Sequence, residues 1–249
     1  MYLDSMIGLV YFIYGTILGS FYNVVIYRVP KKISIAKGNS MCPHCGEKIK
    51  SKYLIPILSW IFLKGKSACC SQKISPYYAI GELTMGIMFL VSYILFGFSI
   101  ASFYYIIFFS IIFLVGVIDW QSKTIYDAML LIALILGVIM QLFFINDIKN
   151  SLVGGAIAFG FYFSIYLIVK LIYKEEKFGF GDVLFIALVG FFMGGNGILV
   201  TIFAPFYIAI FWFLIAKYIL KKNLAGDSEV PFGPFISIAA FVLVVVRNI

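Results

Sequence analysis

The chain has 249 residues, of which 63% are hydrophobic, 19% aromatic and only 12% charged. So few polar side chains cannot cover a water-facing surface of this size, which excludes a soluble globular enzyme and leaves lipid as the surrounding solvent. A net charge of +8 would also suit a nucleic-acid binder, but the 19 basic residues sit in loops with no readout motif, so no nucleic-acid partner is expected.

In chain order the apolar runs fall at about 7–27, 78–97, 101–118, 126–145, 151–173, 182–195, 198–220 and 231–247. The fold class predicted is therefore all-α: a polytopic integral membrane protein with about eight transmembrane helices. Residues 1–27 hold the first span, 28–77 form a cytosolic, Cys-containing loop domain, and 78–249 form a seven-helix membrane region. The first span follows Met1-Tyr2-Leu3-Asp4-Ser5, which has no basic residue, and no small-residue cleavage site comes after it, so it reads as a retained reverse anchor. No repeat relates the two halves of the chain.

Orientation follows from the cations. Arg28, Lys31, Lys32, Lys37, Lys48, Lys50, Lys52, Lys64, Lys66 and Lys73 share the first loop, and threading eight spans puts Lys123, Lys170, Lys174, Lys177, Lys217, Lys221 and Lys222 on the same side. Only Lys149 and Arg247 fall opposite, a split of 17 to 2 that supports both the span count and a cytosolic first loop. Both termini are then extracytoplasmic.

An aspartate at a helix centre in a bilayer costs about 2.5–3.5 kcal/mol, so the acids near spans need a reason. Asp119 ends the third span after Val115-Gly116-Val117-Ile118, and Asp182 opens the sixth after Phe178-Gly179-Phe180-Gly181. The topology puts both at the cytosolic edge. Two carboxyl groups at equal depth on adjacent helices can share a proton and activate a water between them, as in aspartic proteases. The helix dipoles would favour Asp182 as the anion and Asp119 as the acid. Gly179 and Gly181 leave room for a substrate backbone beside Asp182. Read singly, each aspartate is more simply an interfacial or capping residue; the pair in its glycine context favours chemistry. Asp127 reads as organising the start of the fourth span, and Asp147, Glu175, Glu176, Asp227 and Glu229 as solvated loop charges.

The string Gly19-Ser20-Phe21-Tyr22-Asn23-Val24-Val25-Ile26-Tyr27-Arg28, then Cys42-Pro43-His44-Cys45, Ile118-Asp119, Gly179-Phe180-Gly181-Asp182 and Pro231-Phe232-Gly233-Pro234, resembles the bacterial type IV prepilin peptidases over nearly the whole chain. The resemblance implies an intramembrane aspartyl endopeptidase in the bacterial cytoplasmic membrane, with Asp119 and Asp182 catalytic and no catalytic metal. Its substrates would be type IV prepilins and pseudopilins, cut after a glycine at the cytosolic face to remove a basic leader. It further implies S-adenosylmethionine as methyl donor for the exposed N-terminal amine, with Asn23, Arg28 and Glu82 as candidates for binding donor or amine. As alternatives, Arg28 is an interfacial anchor and Glu82 a helix-end charge. Pro231 and Gly233 could hold irregular backbone against an extended substrate, or simply turn the chain into the eighth span.

Two departures stand out. Where the family has a second Cys-x-x-Cys, this chain reads Ser67-Ala68-Cys69-Cys70, so structural zinc on Cys42, Cys45, Cys69 and Cys70 competes with a three-cysteine site completed by His44 and with plain reduced thiols. Tyr126 replaces a frequent proline. Outside this family, an ion-coupled transporter would use Asp119 and Asp182 as carriers, and a scaffold would use the cysteines for docking. Transporters place such acids nearer the midplane and show inverted repeats.

Overall fold

The computed structural model describes residues 2–36, 40–42, 44–174, 178–219 and 230–249; Lys37, Pro43, Glu175, Glu176, Lys177, Lys221, Lys222, Asp227 and Glu229 lie outside them. The described elements are helices: α1 (Tyr2–Arg28), the short α2 (Leu58–Phe62), α3 (Tyr77–Phe96), α4 (Ile100–Ser122), α5 (Asp127–Met140), α6 (Ile148–Tyr173), α7 (Phe180–Met193), α8 (Ile198–Leu214) and α9 (Gly233–Asn248). Wider π turns at Gln141–Ile145 and Ile215–Ile219 extend α5 and α8. No strand forms among the described residues; two isolated bridges, Met41 with Lys48 and Lys66 with Lys73, pin the first loop.

A helix stands at each of the eight predicted apolar runs. Six of them, α1, α3, α4, α5, α6 and α8, are long and apolar enough to cross a membrane once the π turns are included. The other two are apolar but shorter, 14 residues in α7 and 16 in α9. At 1.5 Å per residue these are about 21 and 24 Å long, against a hydrocarbon core of about 30 Å.

The chain divides into two compact units, residues 1–102 and 103–249. In the first, α3 pairs with α1 across the loop. Their pairing is antiparallel and close because glycines line it: a Cβ on Gly15 would stand 2.9 Å from Gly86 Cα, and one on Gly19 2.8 Å from Glu82 Cα. Small residues permit this approach in lipid, where no hydrophobic effect drives helices together. Asn23 Nδ2 donates to the Tyr78 carbonyl at 3.0 Å at the loop end of the pair.

In the second unit α7 is the central helix, buried at Val183, Phe185, Ile186 and from Leu188 to Met193. α6 lies antiparallel to it, and a Cβ on Gly190 would meet the Gly154 carbonyl at 2.6 Å and Ala158 Cβ at 2.8 Å. α4 runs antiparallel to α9: Phe109 meets Phe241 edge-on at 5.1 Å, and Ser237 Oγ donates to the Ile112 carbonyl at 2.7 Å. α4 also meets α7 at its other end, where Phe108 stacks on Phe192 at 4.9 Å and the Tyr104 hydroxyl donates to the Phe192 carbonyl at 3.3 Å. There Arg247 of α9 donates to the Met193 carbonyl at 2.8 Å, tying the last turns of α9 and α7 together.

Candidate active site

Asp119 stands in the last turn of α4 and Asp182 in the first turn of α7. Because α4 meets the far end of α7 through Tyr104 and Phe108, the antiparallel pair carries its aspartates at one end. Asp182 lies within electrostatic reach of Asp119. Asp119 is only 5% exposed, and its Oδ2 accepts the Gly233 N–H at 2.9 Å. Asp182 keeps one buried oxygen, Oδ1, without a hydrogen-bond partner among the described residues. A buried polar atom left unpaired costs about 1–3 kcal/mol, and a water or a substrate carbonyl held by both carboxyl groups would relieve it.

The glycines act differently from one another. Gly179 is extended, with φ −71° and ψ 130°, and a Cβ there would stand 2.9 Å from Asp182 Oδ2. Its lack of a side chain keeps the space beside the carboxylate open. At Gly181 a Cβ would press on Ile125 Cβ at 3.0 Å, so this glycine seats the start of α7 against the turn between α4 and α5. Gly233 opens α9 with Pro234 just behind it, so the Pro231–Pro234 segment is the turn that starts this helix as well as the source of the N–H on Asp119. The sequence offered no sign of that bond. Helix ends of opposite sign meet at Asp119, and α4 alone does not set its role. Asp127 begins α5, as its sequence context predicts.

Aromatic packing around this end was also invisible in the sequence. Phe232 lies 5.3 Å from Phe206, 6.1 Å from Phe178 and 6.3 Å from Tyr162. Tyr162 is fully buried, donates to the Ile202 carbonyl at 2.8 Å, and lies within electrostatic reach of Asp182.

A second cluster occupies the first unit. The sulfurs of Cys42, Cys45, Cys69 and Cys70 all lie within 4.8 Å of one another, with 3.7 Å between Cys42 and Cys70 and 3.1 Å between Cys45 and Cys69. All four are free thiols rather than disulfides. Tetrahedral zinc with Zn–S bonds of about 2.3 Å needs sulfurs roughly 3.8 Å apart, so the four-cysteine set fits. His44 points elsewhere, its Nε2 lying 3.3 Å from the Lys73 carbonyl. Adjacent Cys69 and Cys70 both reach the cluster with Ser71 at φ 58°, in the left-handed region. Ser67, standing in a family cysteine position, supports the sulfurs: its Oγ lies 3.3 Å from Cys42 Sγ and 2.9 Å from Cys69 Sγ. Hydrogen bonds from Ser67 and from the backbone at Cys45 and His44 hold the Cys42 thiol down to about 5. Its hydrogen bond with Cys69 pushes Cys45 up to about 12.

Of the methyl-donor candidates, Glu82 is buried and its Oε2 accepts the Ile57 N–H at 2.7 Å. Asn23 lies one turn away along the same α1–α3 face. Arg28 is turned back on its own chain, donating to the Ser34 carbonyl at 2.9 Å.

Residues 13–96 match the bacterial peptidase A24 N-terminal domain, and residues 106–214 match the type IV leader peptidase family. The chain is 33% identical to the prepilin leader peptidase/N-methyltransferase of Vibrio cholerae, over 93% of each chain. It is 32% identical to the protein of that name in Bacillus subtilis, over 91% of this chain and 89% of that one. The Klebsiella pneumoniae relative, also so named, is 32% identical over 74% of this chain and 83% of its own. No solved structure matches. These relationships leave the transporter alternative without support. The chain is a multi-pass membrane protein and belongs to the type IV leader peptidase family.

Proposed function

We propose that this chain cuts the basic leader from type IV prepilins and pseudopilins after a glycine, at the cytosolic face of the bacterial cytoplasmic membrane, and then methylates the new N-terminal amine. Asp119 and Asp182 act as a pair. One carboxylate takes a proton from water as the oxygen attacks the scissile carbonyl, while the other carboxyl group protonates the carbonyl oxygen. The tetrahedral intermediate collapses as one hydroxyl proton returns to the carboxylate that had protonated the carbonyl, the C–N bond breaks, and the proton taken from water goes to the leaving amine. The observation that carries this reading is the arrival of both aspartates at one end of the antiparallel α4–α7 pair, with the Gly233 N–H on one of them and an unpartnered oxygen on the other. Gly179 borders the substrate strand, with Pro231 and Gly233 beside it, while Gly181 seats the start of α7 on Ile125.

The 17 to 2 division of cations supports eight crossings, a cytosolic first loop and extracytoplasmic termini. S-adenosylmethionine, when bound, supplies an electrophilic methyl group. Glu82 offers a buried carboxylate to the cationic donor or amine, and Asn23 and Arg28 border it. Zinc on the four cysteines has a structural role, holding the loop between α1 and α3; peptide cleavage needs no metal.

The test is cleavage of a prepilin-like substrate by purified protein in detergent, with mass spectrometry locating the cut. Asp119→Asn and Asp182→Asn should each slow cleavage by about 10²–10⁴-fold. Both should still methylate a substrate supplied already cut. Undiminished cleavage by either variant removes that aspartate from the mechanism.

A further inference from the structure

The short helix α2 turns an apolar face outward from a basic loop. Leu58, Ile61 and Phe62 fall on one side at helical spacing and are exposed, Phe62 to 79%, with Leu54 and Ile55 exposed just before them. Trp60, on the other side, is tied inward by its indole N–H on the Ile74 carbonyl at 3.2 Å. The surrounding chain carries one sign of charge: residues 48–81 contain Lys48, Lys50, Lys52, Lys64, Lys66 and Lys73 and no acid. Lys64, Lys66 and Lys73 line a cavity of about 600 Å³ with His44, Trp60 and Tyr78.

The position of α2 against α3 is set by a strained residue. Ile57 caps the helix at φ 63°, a left-handed conformation costly for a β-branched side chain, and its N–H is held by Glu82. Glu82 is the sixth residue of the spanning helix α3. This bond therefore ties the start of α2 beside the second turn of α3, so a spanning α3 carries α2 close to the bilayer surface, where interfacial helices lie.

We infer that α2 is an interfacial anchor: its Leu58, Ile61 and Phe62 face enters the leaflet, and the lysine-lined cavity beside it takes the phosphate of an anionic phospholipid headgroup. Charge complementarity selects the occupant, since acidic lipids attract clustered lysines. The cytosolic side rests on the proposed topology; docking to a bilayer does not.

Hydrogen–deuterium exchange of the full chain in nanodiscs tests this, comparing phosphatidylcholine alone with discs containing phosphatidylglycerol. Residues 54–62 should exchange at least tenfold more slowly in the anionic discs. Phe62→Ser should remove that protection, and so should Lys64→Gln with Lys73→Gln, while prepilin cleavage continues. Equal exchange in both discs overturns the inference. So does protection confined to discs holding two copies, which would give the face to a second chain. Protease access to Lys48 and Lys50 in oriented vesicles separately reports which side the loop occupies, so a failed topology is distinguishable from a failed anchor.

Discussion

Gly233 is the residue on which the paired-acid geometry is most exposed to a single atom. A Cβ there would stand 2.7 Å from Asp119 Oδ2, closer than real contacts allow, so Gly233→Ala must displace the carboxylate or the start of α9. A misplacement near 1 Å costs about a hundredfold in rate, and we expect a loss of that order in kcat for cleavage, with methylation of a pre-cut peptide unchanged. Steady-state kinetics on the two half-reactions checks it. Asp119 and Asp182 stood out in the sequence because a carboxylate at a span boundary demands an explanation. Phe232 and Tyr162 did not: in a chain of 27 Phe and 17 Tyr, neither draws notice until the fold gathers them.

Close helix packing holds the central helix of the second unit along its length, with polar ties from Tyr104 and Arg247 at its last turn. Gly190→Leu would drive a side chain into the Gly154 carbonyl and Ala158. It should destabilise the protein by about 1–3 kcal/mol, seen as a lower unfolding midpoint in detergent. Gly160 has nothing within 4 Å of an added Cβ, so Gly160→Ala should hold or raise that midpoint through helix propensity. Six long apolar helices were readable from hydropathy to within a few residues because a bilayer imposes both length and composition, and the shorter α7 and α9 by their composition alone. α2 escaped notice: five residues give too short a window for periodicity, and its position depends on a bond to Glu82, distant in sequence.

Over the whole molecule, the cysteine cluster lies in one compact unit and the two aspartates in the other. Chelation should therefore act selectively. With zinc on the cysteines as proposed, removing it should speed trypsin cleavage at Lys64, Lys66 and Lys73 several-fold and depress the proposed methylation, while prepilin cutting stays within about twofold of the untreated rate; gel analysis and the paired assay read both effects. The cysteine spacing in sequence left four-thiolate zinc open beside a three-cysteine site and plain thiols, and folding gathers all four sulfurs within 4.8 Å, with Ser71 just after them at φ 58°. The two shortest apolar helices, α7 and α9, both begin beside the aspartates, and Arg247 ties their opposite ends at one level. In the proposed topology the tied ends lie at the outer face, and the missing length of about 6–9 Å would fall on the cytosolic side. The proteolytic chemistry would then occupy a dent in the bilayer, where water reaches a bond still within the thickness of the surrounding lipid.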